Sequence, residues 1–502
     1  DKRYAFGRMT ALHTPSKDRV NTDERACDVY EKCGGCVWRH VTYAAETQYK
    51  WQKVADALAH IGGLDIIPQP IVAAENADRY RNKAQYPLAV QDGKPIAGFY
   101  APRSHRVIPC ADCALQPAFF ADILRAVLCW AEQNGVAVYD ETRHTGLLRH
   151  VYIRHGEKTG EVMVCLVATS GKLPALPMLV EALKKATPLL RSVVVNINRK
   201  DTNVILGDEE FTVFGDGYIT DTLCDLRFKL SPRSFFQVNP VQTEKLYTLA
   251  KEALALTGEE TLLDLYCGTG TIGLSMAKNV KSLIGVEIVA PAIEDAKQNA
   301  KANGITNARF ICADAAAAAK QLEKEGIRPD AVVIDPPRKG CDEALIDTIA
   351  TMAPSKVVYV SCDPATLARD LARFAARGYE TQWVTPVDLF PGTQHCEAVA
   401  RLRRKNTVHA MKLFSAPYEM IKSGEKTIEL RLYDEKRQQI KVGDAITFTN
   451  TANGEKLTAT VKNLHRFNSF EELYKSLPLL QCGYTVENID AASPRDMEQY
   501  YS

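Results

Sequence analysis

The sequence predicts an α/β chain: a parallel sheet wrapped by helices, preceded by a mainly-β central region and followed by a small separate domain. Three observations predict it. Between 231 and 404, short apolar runs (LLDLY, SLIGVEI, AVVIDP, KVVYVSC) alternate with helical patterns, the signature of a parallel sheet with helices on both faces. Between 79 and 230 strands and turns dominate; HVYIRHGEKTGEVMVCLVAT reads as two alternating runs about a glycine-bearing turn, a hairpin. Past the basic link RLRRKN the pattern restarts at 407–502 with one helix (APYEMIKSG) and short strands (AITFTN, KLTATVKNL).

Bulk properties narrow the function. At 502 residues the chain holds two to four domains, and 46% hydrophobic with 25% charged residues is ordinary for a soluble protein. A formal charge of +1 excludes a global nucleic-acid signature, so any basic surface is local. No run approaches a membrane span and no signal pattern opens the chain, so no membrane partner is expected. Because the first residue is Asp1, a processed chain or a fragment is expected. The 14 cysteines, scattered and without a secretory signal, point to a reducing cytoplasm, where clustered cysteines bind metal or catalyse. No obligate protein partner is implied.

In chain order, 27–78 holds a cysteine loop and then a helical pattern ending at Gly62-Gly63. CDVYEKCGGCVWRH supplies Cys27, Cys33 and Cys36, and IPCADCALQ supplies Cys110 and Cys113. Three thiolates plus a distant fourth can hold a metal; spacing alone leaves zinc and an iron–sulfur cluster open. RYRNKAQYP (79–87) interleaves basic and aromatic residues, with Arg103, His105 and Arg106 nearby. Such a strip can contact phosphates and stack on unpaired bases, or be a solvated basic face.

In LLDLYCGTGTIGL the glycines Gly268, Gly270 and Gly273 follow a strand and open a helix, and Glu287 ends the next strand. That is the nucleotide-binding pattern, with the acid on a ribose hydroxyl. Asp264 within the first strand would repel a pyrophosphate and suits a cationic ligand, favouring S-adenosylmethionine over a dinucleotide. Asp335, in AVVIDPPRKG, is held at another strand end by two prolines. In KVVYVSCDPATLARD, Cys362 stands between a strand and a helix. It is either a buried small hydrophobe or a nucleophile whose pKa the helix N-terminus lowers.

These motifs, DLYCGTGTIGL, IDPPRKG, SCDPATLARD and FPGTQHCEAV, together resemble those of the RNA uracil-C5 methyltransferases, in order and spacing, over about 1–404. The resemblance implies a Rossmann-like S-adenosylmethionine-dependent methyltransferase sheet at 231–404 and an RNA-binding central domain at 79–230. It implies cofactor contacts from Gln237, Tyr266, Thr271, Glu287, Asp314 and Asp335. It makes Cys362 the nucleophile that adds to uracil C6 and Glu397 the general base for the C5 proton. Cys396 is a rival thiol, but strand alternation turns it away from Glu397. By the same resemblance a [4Fe-4S] cluster sits on Cys27, Cys33, Cys36 and Cys113, with Cys110 a competing fourth ligand. Ribosomal RNA is favoured over tRNA as substrate, since the cysteine loop is the habit of that branch. Residues 1–26 resemble the end of a TRAM barrel, most of which is missing. The segment 407–502 resembles an ASCH domain, a small PUA-like β-barrel, through Lys426, Glu429 and Arg431 and the VGD turn; RNA binding, or amidohydrolase chemistry at Lys426 and Glu429, is implied there. The competing classes are a tRNA uracil methyltransferase, a nicotinamide-type enzyme on the same sheet, and a non-catalytic RNA-binding protein.

Overall fold

The structure, a computed structural model, describes residues 10–20, 27–440 and 442–497. It divides into two units, Asp1–Arg403 and Arg404–Ser502. The TRAM-like expectation for 1–26 falls largely outside the described residues; within 10–20 the chain is irregular, with one bridge from Arg19 to Val41.

Helix α1 (Tyr43–His60) opens the ordered part of the first unit, capped by the Thr42 side chain, which accepts from the Ala45 N–H. A seven-stranded sheet follows. It contains β1 (Lys83–Gln91), β2 (Lys94–Tyr100), β3 (Val107–Pro109), β4 (Leu148–His155), β5 (Val162–Ala168), β6 (Leu190–Ile197) and β7 (Glu209–Gly215), ordered β3-β2-β1-β4-β5-β6-β7. The β4–β5 pair is the hairpin read from the sequence. Two helices the strand reading passed over, α2 (Phe120–Gln133) and α3 (Leu176–Ala186), pack together on one face of this sheet. Both are amphipathic; α2 buries Phe120, Ile123, Leu124, Val127 and Trp130, spaced three and four apart. A separate two-stranded ribbon, β8 (Ile219–Leu223) with β9 (Leu226–Leu230), leads to α4 (Pro240–Leu254).

The second sheet is the predicted α/β layer. It alternates β10 (Thr261–Leu265), α5 (Thr271–Met276), β11 (Ser282–Glu287), α6 (Ala290–Ala302), β12 (Ala308–Cys312), α7 (Ala315–Lys324), β13 (Ala331–Ile334), α8 (Glu343–Met352), β14 (Lys356–Ser361) and α9 (Pro364–Ala376), then closes with β15 (Tyr379–Val387) and β16 (Glu397–Arg404). The order is β12-β11-β10-β13-β14-β16-β15, with β10 to β14 parallel and β16 antiparallel to β14. Alternation divides the strands between two cores. Leu263, Leu265, Val332, Ile334, Val357 and Tyr359 face α1, α7, α8 and α9. Leu262, Val333, Val358 and Val360 face α4 and α5. The strand order reverses between β10 and β13, so their carboxyl ends open a crevice there, the place where ligands bind in such sheets.

The second unit pairs β17 (Val408–Leu413), β18 (Ala445–Asn450) and β19 (Lys456–Thr460) in that order. Helix α10 (Ser415–Ser423) covers a small core of Met411, Leu413, Tyr418, Ile440, Phe448 and Val461. No helix among the described residues is long and apolar enough to cross a membrane.

Candidate active site

The glycine loop is built around Asp264. Its Oδ2 accepts the Gly273 N–H at 2.9 Å, and a Cβ on Gly273 would stand 2.6 Å from that oxygen, so no larger residue fits. Gly270 ends the loop at φ +83°, a left-handed turn that glycine takes without strain. Glu287 locks the other side: its carboxylate accepts from the N–H groups of Gly268 (3.2 Å), Ile288 (2.8 Å) and Val289 (2.9 Å). Thr271 begins α5 and its hydroxyl is 2.7 Å from the Tyr247 hydroxyl. Tyr266 follows β10 at φ +64°. Asp314, at the end of β12, spends Oδ1 on capping α7 through the N–H groups of Ala316 and Ala317. Gln237 lies in the loop before α4, where its carbonyl accepts from the Asn82 side chain at 3.2 Å. The switch-point sheet thus brings Tyr266, Thr271, Glu287, Asp314 and Asp335 to the carboxyl ends of β10 to β13.

At the neighbouring strand ends stand Asp335, Cys362 and Glu397. Asp335 follows β13, its N–H donating to the Leu265 carbonyl at 3.3 Å. Ser361 pairs with Ala398 across the β14–β16 ladder, so Cys362 and Glu397 are the next residues outward on facing strands. Glu397 is buried at 5% exposure and Cys362 is half-buried. Cys396 is in the core, its thiol directed to the carbonyls of Val387 and Glu397, and does not compete.

The electrostatics correct one expectation. The Cys362 thiol is not acidified; burial, then the charges of Glu397 and Asp335, push it up to about 11, and Arg338 opposes them. At the α9 N-terminus the side chain of Asp363 takes the free N–H groups of Ala365 (2.9 Å) and Thr366 (3.0 Å). Burial also pushes three carboxyls up: Asp264 to about 8, Glu397 to about 8 and Asp335 to about 7. Repulsion from Asp335 adds to the rise of Asp264 and Glu397, while Arg338 lowers Glu397. Oδ1 of Asp264 has no hydrogen-bond partner among the described residues. A pocket of desolvated carboxyls favours a cation, whose charge would return them to the ionised form.

Sequence reading gave no role to Arg338, although it sits in the quoted DPPR turn, nor to Ile288 and Val289, exposed hydrophobics beside Glu287. The basic strip 79–87 is largely turned inward. Arg79 pairs with Asp112 and donates to the carbonyls of Cys113 and Gln116; Tyr80 and Tyr86 are buried.

Cys33, Cys36 and Cys110 are pushed up, by burial and by the hydrogen bond to Cys113 at Cys110, with the charges of Cys27 and Cys113 adding to each, while the hydrogen bond from Cys110 lowers Cys113 to about 7. Among the described residues, however, no group of three or more histidine, cysteine or acidic side chains is arranged to hold a metal ion. In the second unit, Glu429 binds Lys426 (3.1 Å) and Arg431 (2.8 Å) together.

Comparison with known proteins gives this switch-point site its class, an RNA-modifying methyltransferase. The family described as tRNA (Uracil-5-)-methyltransferase matches residues 194–405, and the ASCH domain matches 411–500. An uncharacterized RNA methyltransferase of Halalkalibacterium halodurans is 47% identical over 406 residues, 81% of this chain and 88% of the relative. Another, from Clostridium tetani, is 44% identical over 399 residues, 80% of this chain and 86% of the relative. The crystal structure of Pyrococcus abyssi tRNA (uracil-54, C5)-methyltransferase in complex with S-adenosyl-L-homocysteine aligns with TM-score 0.62 at 26% identity, covering 74% of this chain and 86% of that one. The chain belongs to the RNA uracil-5-methyltransferase family, with an ASCH domain behind the catalytic unit, and its chemistry is S-adenosylmethionine-dependent methylation of RNA.

Proposed function

We propose that the protein makes 5-methyluridine in ribosomal RNA, through a covalent adduct between Cys362 and uracil C6. The observation that carries this reading is the facing position of Cys362 and Glu397 at the β14–β16 mouth, beside Asp335 and the glycine loop. The preference for ribosomal RNA rests on the cysteine loop; a tRNA uridine is the second reading, favoured by the aligned archaeal enzyme.

Uracil C5 is a weak nucleophile until a thiolate adds to C6. With its pKa near 11, Cys362 rests as a thiol; it loses its proton to solvent as the Sγ–C6 bond forms, and the C5=C6 electron pair moves toward C5 and O4 as an enolate. Arg338 offsets the developing negative charge. Bound S-adenosylmethionine supplies the methyl group that C5 takes. Tyr266, Thr271, Glu287, Asp314, Asp335 and Gln237 would hold it, and the carboxyls of Asp264 and Asp335 would favour its positive charge. Glu397 then removes the C5 proton, the C6–Sγ bond breaks, and Cys362 leaves as thiolate. A carboxylate with pKa near 8 is a stronger base than an ordinary one, which suits this step.

Because attack precedes proton removal, the two residues separate in a trapping experiment. Glu397→Gln should transfer methyl and stall, giving a slow band on a denaturing gel that carries label from the methyl donor. Cys362→Ala and the double variant should show none. Turnover to 5-methyluridine by Cys362→Ala would contradict the mechanism.

We further propose that Cys27, Cys33, Cys36 and Cys113 ligate a [4Fe-4S] cluster: thiols are the donors such a cluster takes, and Arg39 beside Cys36 and Arg81 beside Cys113 would balance thiolate charge. The Gly35 N–H donates to the Cys33 sulfur at 3.4 Å, as sulfur ligands commonly receive. Anaerobically purified protein should be brown and carry iron. Zinc alone, or iron retained in Cys113→Ser and lost in Cys110→Ser, would reject the cluster or its fourth ligand.

A further inference from the structure

We propose that Arg154, Lys83 and Arg81 form a phosphodiester-binding site beside the 234–238 loop, which grips the backbone of the RNA strand presented to Cys362. The inference rests on the RNA-methyltransferase reading and adds a substrate contact to it.

In the β1–β4 ladder Lys83 lies directly opposite Arg154, so two cations share one face of the first sheet, the face whose Tyr152 packs toward the catalytic layer. Arg81, two residues before Lys83, belongs to the same group: the charges acting on the Lys83 ammonium are those of Arg154 and Arg81, and no carboxylate joins them. Like charges set side by side and partly desolvated raise the free energy of the fold unless an anion joins them.

The hydrogen bonding leaves donors unused there. Arg154 is 2% exposed; it gives Nε to the Tyr152 hydroxyl (2.9 Å) and Nη2 to the Ser234 carbonyl (2.7 Å). Its buried Nη1 has no hydrogen-bond partner among the described residues, and neither has Nε of Arg81. Arg154 is therefore a fixed charge beneath the site, while half-buried Lys83 and Arg81 are the groups solvent reaches.

The position points to the strand being methylated. Asn82, between Arg81 and Lys83, holds the 234–238 loop through Nδ2 to the Gln237 carbonyl (3.2 Å) and its N–H to the Val238 carbonyl (2.9 Å). At the other end Arg81 lies over the Phe390 ring, 6.0 Å from its centroid, and its charge is felt at His395, two residues before Glu397. The cations thus run from Arg154 toward the catalytic mouth, as a chain of phosphates would need. A cofactor carboxylate is the other oxyanion within reach of the 234–238 loop, and the test separates the two.

The test uses the whole chain, a short fluorescein-labelled single-stranded RNA, and anisotropy over a salt series. Lys83→Gln and Arg154→Gln should each weaken binding about tenfold and flatten the plot of log affinity against log salt by about 0.7, one phosphate's worth of counterion release. Lys83→Arg should restore both. Arg125→Gln, an exposed residue paired with Asp122 on α2, should change neither. The melting temperature of Lys83→Gln should hold or rise, because a repelled ammonium has gone. S-adenosylhomocysteine affinity, by calorimetry, should be unchanged. An unchanged salt slope in both Gln variants overturns the site. So does loss of S-adenosylhomocysteine affinity with RNA affinity intact, which would assign the cations to the cofactor carboxylate. If the unaltered protein binds no RNA, the failure belongs to the broader reading instead.

Discussion

Burial decides the resting state of Cys362, and the charges of Glu397 and Asp335 add to it. Asp363, the next residue, caps α9 with its own carboxylate, accepting the N–H groups of Ala365 and Thr366. The sequence shows the cysteine, the proline turn and the helix start; how far the thiol is buried beside two carboxyls is a matter of tertiary packing, and that is why its upward shift is not legible there. Two consequences follow at this scale. Methyl transfer should climb with pH as Cys362 ionises more readily, and release of free 5-methyluridine RNA should climb through about 8 as Glu397 ionises; a single-turnover series from pH 6 to 9 that is flat in the first would contradict the Cys362 shift, and one flat in the second the Glu397 shift. The raised carboxyls also give a stability signature. Asp264, Asp335 and Glu397 hold protons in the fold that the unfolded chain releases near pH 4, so their contribution is full below that and is lost as pH rises through about 7 to 8. Melting temperature of ligand-free protein should fall over that window, and Asp264→Asn should flatten the fall. Gly273→Ala, which forces a Cβ against Asp264, should cost about 1–3 kcal/mol and weaken S-adenosylmethionine binding at least tenfold by calorimetry.

The elements were legible where local pattern and tertiary role coincide. The β10–α5 turn, the Asp335 turn and the β14–α9 junction each carry a chemically distinctive residue at a strand end, and alternation alone turned Cys396 away from the site. Helices α2 and α3 were passed over because they interrupt a strand-rich region. The aromatic and basic residues of 79–87 were read as surface although tertiary packing buries Tyr80 and Tyr86. Asp370, the last residue of the SCDPATLARD motif, shows what only the fold reveals. From α9 it accepts the Tyr359 hydroxyl (2.8 Å), the Cys341 N–H (2.8 Å) and Nε of Arg369 (2.9 Å), while Arg369 reaches the Lys339 carbonyl at 2.8 Å. The loop bearing Asp335 and Arg338 is thereby fixed to α9. Asp370→Ala should lower unfolding free energy by about 3–5 kcal/mol in denaturant titration, since a buried charged network loses its centre; a loss below about 1 kcal/mol would show that the loop holds itself.

Across the whole catalytic unit, a buried lysine performs a similar task over a longer reach. Lys50 of α1, 1% exposed, donates to Glu46 (2.8 Å), to Asp388 (2.7 Å) and to the Phe390 carbonyl (3.1 Å), while the Gly392 N–H donates to Glu46 at 2.6 Å. Val37 and Trp38, just past the cysteine loop, donate to the Gly392 carbonyl at 2.8 and 3.2 Å. The segment leading to Glu397 is therefore braced by residues more than 300 positions earlier, a link no periodicity could disclose. Such bracing ties the cysteine loop, α1 and the segment bearing Glu397 into one body, which suits the proposed role of Glu397 as the base facing Cys362. The central claim is that this body makes 5-methyluridine, and the direct measurement is nucleoside mass spectrometry and mapping of 5-methyluridine in ribosomal and transfer RNA from cells lacking the protein, with and without return of the unaltered or Cys362→Ala chain. Loss of 5-methyluridine from a ribosomal RNA position, restored by the unaltered chain and not by Cys362→Ala, is the predicted result; unchanged 5-methyluridine in every RNA would contradict it.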